Sequence, residues 1–409
     1  MIVNFCAYSK TSNLKEGYNL PHLEDIVFNE PEDGIQTSID LLSDIVKELS
    51  GPVTQPKMSV TTKWDGAPAV VAGTDPETGK FFVALKGVFD SKNPKMAFTE
   101  ADIRSQYDKP ELVQKLSLCL KYLKSVLPSG GVYKGDLLFD KNIRKSESID
   151  DKPNWVFRPN TITYAVPQDT PLGMLVGSAE LGIVFHTQYT GSSISSMKES
   201  PLNNLSNFKK STKVWFTDAK LPKPPSGSGF VSSSDAAQIN AIQSQIVQSK
   251  TTATTMAKLM AKQPWWADIK TAINGAVRNG ISSINSSMLK SHLTVRYIKA
   301  KEALKSEAGK TKKQNELDEA LKFIDAYASQ IDTLFKVHGL IADAKLIIVN
   351  RLSADAKGIG TYVPTDKGLK ATTPEGFVAV CGSTCRVVKL VNRLEFSRMN
   401  FNLAKDWKK

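Results

Sequence analysis

The chain has 409 residues, with 53 lysines and arginines against 41 acidic residues, a net charge of +12 and a pI near 9.3. No apolar run reaches the length of a membrane-spanning helix, the N-terminus lacks the charged start and apolar stretch of a secretion signal, and four cysteines do not make a disulfide framework. The expectation is an intracellular, cytoplasmic protein with no membrane partner, large enough for two domains and with a charge balance suited to a polyanion.

In chain order, the spacing of Ile35, Ile39, Leu42, Ile45, Val46 and Leu49 predicts an amphipathic helix over 33–49, stopped by Gly51-Pro52. An alternating stretch follows and ends in Lys63-Trp64-Asp65-Gly66, after which Ala69-Val70-Val71-Ala72 reads as a strand. Lysine in this position suits attack on an α-phosphorus, which needs an amine stripped of its proton by burial or by neighbouring cations. On a strand Asp65 shares a side with Lys63 and suits a ribose hydroxyl or the orientation of the lysine, while Gly66 permits a left-handed turn and close approach of a ligand. Taken alone the tetrapeptide also describes an ordinary hairpin turn.

Further along, Phe81–Phe89 is a strand carrying Lys86 before a glycine, and Pro110–Leu127 is a second amphipathic helix through Val113, Leu116, Leu120 and Leu123. Gly131–Phe139 is a strand with Asp136 after Gly135, and Leu181–Tyr189 is an aromatic strand that includes Phe185. Residues 220–229 are rich in proline, glycine and serine and read as a linker. Beyond it, 234–350 is mostly helical, with Trp265-Trp266 as a packing anchor. Within this segment Lys290, Arg296, Lys299, Lys301, Lys305, Lys310, Lys312 and Lys313 are countered in the local sequence by Glu302 and Glu307. Such a run is either a solvated helix face or a cover for a nucleic-acid backbone. Near the C-terminus come Glu375-Gly376-Phe377-Val378-Ala379-Val380 and then Arg386-Val387-Val388-Lys389-Leu390-Val391. Cys381 and Cys385 have no histidines nearby in sequence, so buried thiols are expected and not zinc.

This ordered series resembles the covalent nucleotidyltransferase superfamily of polynucleotide ligases and RNA capping enzymes. It is most similar to viral ATP-dependent RNA ligases, whose fourth motif has the Glu-Gly-aromatic-Val-Ala form seen at Glu375. It also looks like a group of uncharacterised tailed-phage proteins that share Lys-Trp-Asp-Gly-Ala-Pro.

The resemblance implies an α+β fold: a ligase-type nucleotidyltransferase domain of antiparallel sheets with helices, formed by residues 1–219 and 351–409, plus a mostly helical insertion over 230–350. It implies ATP and Mg2+ or Mn2+ as cofactors, and nucleic acid, RNA more than DNA, as partner. By position, Lys63 is the nucleotidylated lysine, Asp65 and Gly66 complete its motif, and Lys86 lies near the nucleotide sugar or phosphate. Asp136 contacts the ribose, Glu375 holds the metal, and Lys389 grips the α-phosphate. The base-stacking aromatic is Phe185, with Tyr164 as the competing assignment. Two features depart from the pattern: Ala67-Pro68 stand where an Arg or Ser is common, and Val387 and Val391 flank Lys389 where a second lysine is usual. Only 20 residues follow Lys389, too few for the oligonucleotide-binding barrel of DNA ligases and capping enzymes, so the likeness turns towards RNA ligases.

Overall fold

The structure, a computed structural model, describes residues 20–51, 58–90, 93–202, 204–221, 229–354, 358–366, 368–381 and 386–402. Most of the expected linker, Cys6, Cys385 and the basic tail from 403 onward lie outside these residues.

The first half opens with α1 (Ile26–Asn29) and α2 (Gly34–Leu49), the latter burying Ile35, Leu42, Ile45 and Leu49 as its periodicity requires. Strands β1 (Met58–Lys63), β2 (Ala69–Thr74) and β3 (Phe81–Ala84) follow, and a turn of 3-10 helix at Lys86–Phe89 closes β3. Helix α3 (Glu100–Gln106) starts on a capping box between Thr99 and Asp102. Helix α4 (Pro110–Leu123) places proline in its first turn, where no backbone donor is needed, and buries Val113, Leu116, Cys119 and Leu123.

Next come β4 (Val132–Asp140), β5 (Lys145–Ile149), β6 (Lys152–Phe157), β7 (Thr163–Pro167), α5 (Pro171–Ser178), β8 (Leu181–Thr190), β9 (Lys198–Pro201) and β10 (Val214–Asp218). The helical stretch comprises α6 (Ser233–Ala261), α7 (Asp268–Arg278), α8 (Ser286–Glu302), α9 (Glu307–Ala326) and α10 (Ala328–Ala354). Ser232 and Asp235 form the capping box of α6. Strands β11 (Gly360–Thr365), β12 (Gly368–Ala371), β13 (Gly376–Cys381) and β14 (Arg386–Leu390), a π-helical turn at Arg393–Ser397 and α11 (Arg398–Asn402) are the last of the described elements.

The protein is thus α+β, with about 47% helix, 24% strand and mostly antiparallel sheets. One sheet has the order β1-β13-β14, a second β10-β8-β4-β2-β3 with β9 on β8, and a third β12-β11-β7-β6-β5. In the first sheet Met58, Phe377, Ala379, Cys381, Val388 and Leu390 face a core shared with α2 and with the helices of 233–354. The helical segment is therefore packed on this sheet by a continuous apolar interior, and each fully buried aliphatic side chain in it adds ~1.5–3 kcal/mol. Trp265 is 1% exposed and meets Phe323 edge-on, while Trp266 meets Phe28 of α1, so the pair anchors the helices as expected. Among the described residues no helix is long and apolar enough to cross a membrane. Cys119 and Cys381 are buried, and burial pushes the Cys119 thiol up to about 12.

Candidate active site

Strand parity assembles the site. In β1, Met58 and Val60 turn to the shared core, which leaves Thr61 and Lys63 on the opposite face. Thr61 pairs with Val378 and Val378 with Lys389, so Lys389 shares that face with Lys63, two strands across and two residues along, or roughly 12 Å away on the sheet. Lys63 itself pairs with Gly376 at the start of β13, and its amine is ion-paired with the carboxylate of the preceding residue, Glu375. Gly376 has φ +143, and a β-carbon there would run into the carbonyl oxygen of Leu390, so only glycine admits this entry to β13.

The second sheet supplies the other acid. After Lys63 the chain crosses to β2 through Gly66-Ala67-Pro68, which hydrogen-bonds to Leu137 of β4 through the Ala67 N–H at 2.9 Å and the Pro68 carbonyl at 3.1 Å. Asp136 is thereby brought beside Gly66. His186 of β8 stands 3.6 Å from the Asp136 carboxylate, in an irregularity of the β4–β8 register.

Electrostatics show how closely these groups sit. Burial pushes the Glu375 carboxyl up to about 7, with Lys63 opposing the shift and Asp65 and Asp136 adding to it. Burial lowers the Lys389 ammonium, and the charge of Lys63 lowers it further. The phenol of Tyr164 is raised well above its ordinary value by burial and then by Asp65, with Glu375 and Asp136 contributing. Lys63, Asp136, Tyr164, Glu375 and Lys389 thus lie within one electrostatic neighbourhood. Beside Lys63 a pocket of about 330 Å³ is lined by Trp64, Tyr164, Trp215, Asp218 and Pro374 among others, a volume at the lower end of small-molecule sites.

Two assignments need correction, and a third lies apart. Phe185 pairs with Gly135, one residue out of phase with the Asp136–Val184 pair, so its ring points to the opposite face of the sheet. There it is fully buried against Phe208 and Phe216, and it is not the aromatic wall of the site. Asp65, 3% exposed, accepts from Asn160 Nδ2 and from the backbone N–H groups of Thr161 and Ile162, each at 2.6 Å. A buried carboxylate must be satisfied in this way, so Asp65 anchors the loop before β7 and is not presented to a ribose or to Lys63. Lys86 is exposed on the 3-10 turn at the edge of the second sheet, two residues beyond Ala84, and the described contacts do not tie it to the Lys63 cluster.

The sequence profile described as "Family of unknown function (DUF6267)" matches residues 18–405, which takes in both the sheets and the helical segment. The chain belongs to that family. No curated protein and no solved structure matches it.

In this DUF6267 chain two site residues were not singled out by the motifs. Trp64, inside the Lys63 tetrapeptide, lines the pocket and lies 5.5 Å from the Tyr164 ring, whose hydroxyl accepts from the Asp65 N–H at 2.7 Å. His186 directly follows Phe185, and its place beside Asp136 is set by the pairing of β4 with β8, which no local motif signals. Tyr164 is 2% exposed, so its hydroxyl and edge fix the loop more than its face receives a ligand. Half of the eight cations in the basic run are matched by acids distant in sequence or one turn away: Lys290 by Asp325, Arg296 by Asp268, Lys310 by Glu307 and Lys313 by Glu316. The acids interrupt the run at these four positions, so the basic track is not continuous.

Proposed function

We propose that the chain is an ATP-dependent polynucleotide ligase, with RNA favoured over DNA, that joins 5′-phosphate and 3′-hydroxyl ends through a lysyl-AMP intermediate. The observation that carries the reading is the pairing of Lys63 with Glu375, 312 residues later, with Asp136 and Lys389 beside them. Residues from distant parts of the chain thus lie around one amine, which supports the reading.

On this reading Lys63 Nζ attacks the α-phosphorus of ATP and pyrophosphate leaves. AMP then passes from Lys63 to a 5′-phosphate, and a 3′-hydroxyl displaces AMP. Attack requires the amine to give up a proton, and Glu375 is the carboxylate within hydrogen-bond reach of it. Lys389, on the same sheet face, neutralises charge on the transferring phosphoryl group. Trp64 offers an aromatic wall for the base in the pocket beside Lys63.

Mg2+ or Mn2+ is implied by the resemblance. Among the described residues no group of three or more His, Cys, Asp or Glu side chains is gathered to hold a metal. The donor chemistry nevertheless fits magnesium, which keeps several waters and takes one or two carboxylates together with substrate phosphates. Glu375 and Asp136 would be those carboxylates, and their mutual repulsion favours a cation between them. Bound there, the ion would supply positive charge to the phosphate oxygens.

The test is incubation of the full chain with α-labelled ATP and magnesium. The expected product is a protein-bound label stable to alkali and released by acid, as a phosphoramidate is, that GTP does not replace and Lys63→Ala abolishes. A wild-type chain that never acquires the label overturns the reading.

A further inference from the structure

The segment that leads into Glu375 runs between two cavities. Edge strand β12 pairs Lys370 directly with Val363 of β11, so the two side chains share a face of the third sheet. With the π-helical turn and the start of α11 they enclose about 350 Å³, the size of a small-molecule site. Val363, Leu394 and Met399 give the cavity an apolar lining, and Lys370 and Arg398 give it positive charge. The Arg398 guanidinium is seated against Gly280, just past α7, where a β-carbon would lie 3.1 Å from Cζ. Among the described residues no acidic side chain is ion-paired with Lys370 or Arg398. The lining holds one carboxylate, Glu395, which accepts from the Thr372 hydroxyl at 2.8 Å, the Thr373 hydroxyl at 3.3 Å and Asn392 Nδ2 at 3.2 Å. Two cations against one carboxylate leave a single positive charge, which matches a phosphodiester and falls short of a triphosphate. Thr372 lines this cavity and Pro374 lines the pocket beside Lys63, so at most ~7 Å of extended backbone separates the two.

We propose that this cavity holds one nucleotide of a single-stranded nucleic acid, with its phosphodiester against Lys370 and Arg398 and its sugar and base over Val363, Leu394 and Met399. The nucleotide is a near neighbour of the 5′-phosphate end that reaches Lys63, since a stacked strand advances about 3.4 Å per residue and roughly two steps cover the span between the cavities. The position of the strand's end rests on the ligase reading; the cation pair and the cavity do not.

The experiment measures the affinity of the full-length chain for a short 5′-phosphorylated single-stranded RNA by fluorescence anisotropy across a range of salt concentrations. Wild type is compared with the pair Lys370→Ala and Arg398→Ala, with Lys370→Glu alone on the exposed edge strand, and with the pair Lys305→Ala and Lys312→Ala, which removes the same charge from an exposed stretch elsewhere. The cavity pair is expected to weaken the RNA about tenfold and to flatten the salt dependence by ~0.7, the contribution of one phosphate of a single strand. Lys370→Glu should weaken it by a similar factor, and the distant pair should leave the salt dependence as it is. Unchanged affinity in the cavity variants, an equal loss in the distant pair, or displacement of the RNA by an equal concentration of AMP overturns the inference. If the wild type forms lysyl-AMP and the cavity pair binds RNA as the wild type does, the inference falls and the ligase reading stands. If the cavity pair selectively loses RNA while the wild type never forms lysyl-AMP, the strand site stands and the ligase reading falls.

Discussion

Gly66 and Asp136 stand so close that a β-carbon on residue 66 would lie 2.6 Å from the Asp136 Cβ and 3.0 Å from the Leu137 carbonyl oxygen. The contact joins the Lys63 segment to the second sheet and sets where the Asp136 carboxylate is presented. Gly66→Ala forces the crossing segment away from β4, at a cost of about 1–3 kcal/mol of stability typical of overpacking. The expected outcome is a lowered urea midpoint together with loss of lysine labelling. Unchanged stability and labelling would mean that the crossing tolerates a methyl group and does not position Asp136.

Glu375 makes pH a probe of the site. Its folded-state carboxyl is pushed up to about 7, from 4.5 when unfolded, so the folded chain holds this proton the more tightly. Its contribution to stability is therefore complete below about pH 4.5 and is lost as pH rises through about 7. Glu375→Gln removes the titration. Relative to wild type, the variant should gain about 2 kcal/mol on going from pH 5 to pH 8, measured as the difference in urea unfolding free energy. A pH-independent difference would show that the carboxyl is not perturbed.

The segment that flanks Lys389 carries the opposite pH signature. Pro21 and Leu23 hydrogen-bond to the Lys389 backbone, and the next residue, Glu24, receives both its hydrogen bonds from Lys345 of α10 at 2.7 Å. Burial works against ionisation of Glu24, yet Lys345 and its neighbours override it and hold the carboxyl at about 2. Burial also works against ionisation of Asp25, and the His338 hydrogen bond and Arg393 hold that carboxyl far lower. Burial keeps the His22 imidazole at about 3. The acids stabilise the fold above their unfolded values and lose that contribution as pH falls towards 2, and His22 resists the proton the unfolded chain accepts below about 6.5. Acid unfolding measured by circular dichroism should therefore set in below about pH 5. Lys345→Met, which strands the Glu24 charge, should cost ~3–5 kcal/mol at pH 7 and less at pH 3.

Helices α2 and α4 were legible because their apolar residues recur with the helical period, and the helical segment likewise. The break at Tyr327 between α9 and α10 was not, since neither glycine nor proline marks it. Lys63, Asp136, Glu375 and Lys389 could be named from local motifs, each being a residue type with a fixed neighbour. Phe185 was misplaced because alternation tells which residues of one strand share a face, while the phase between two strands depends on pairing and on the bulge beside His186. Asp65 was misread because the amides that consume it lie 95 to 97 residues downstream.

The pairing of β1 with β13 has a temporal side. Met58 meets Cys381, so β1 has no β13 edge to join until more than three hundred further residues have been made, roughly 15 to 60 s at ordinary rates of translation. The nascent chain therefore carries Lys63 for that interval without Glu375, the carboxylate it will pair with. No fragment released before the last strands emerge contains both halves of the centre.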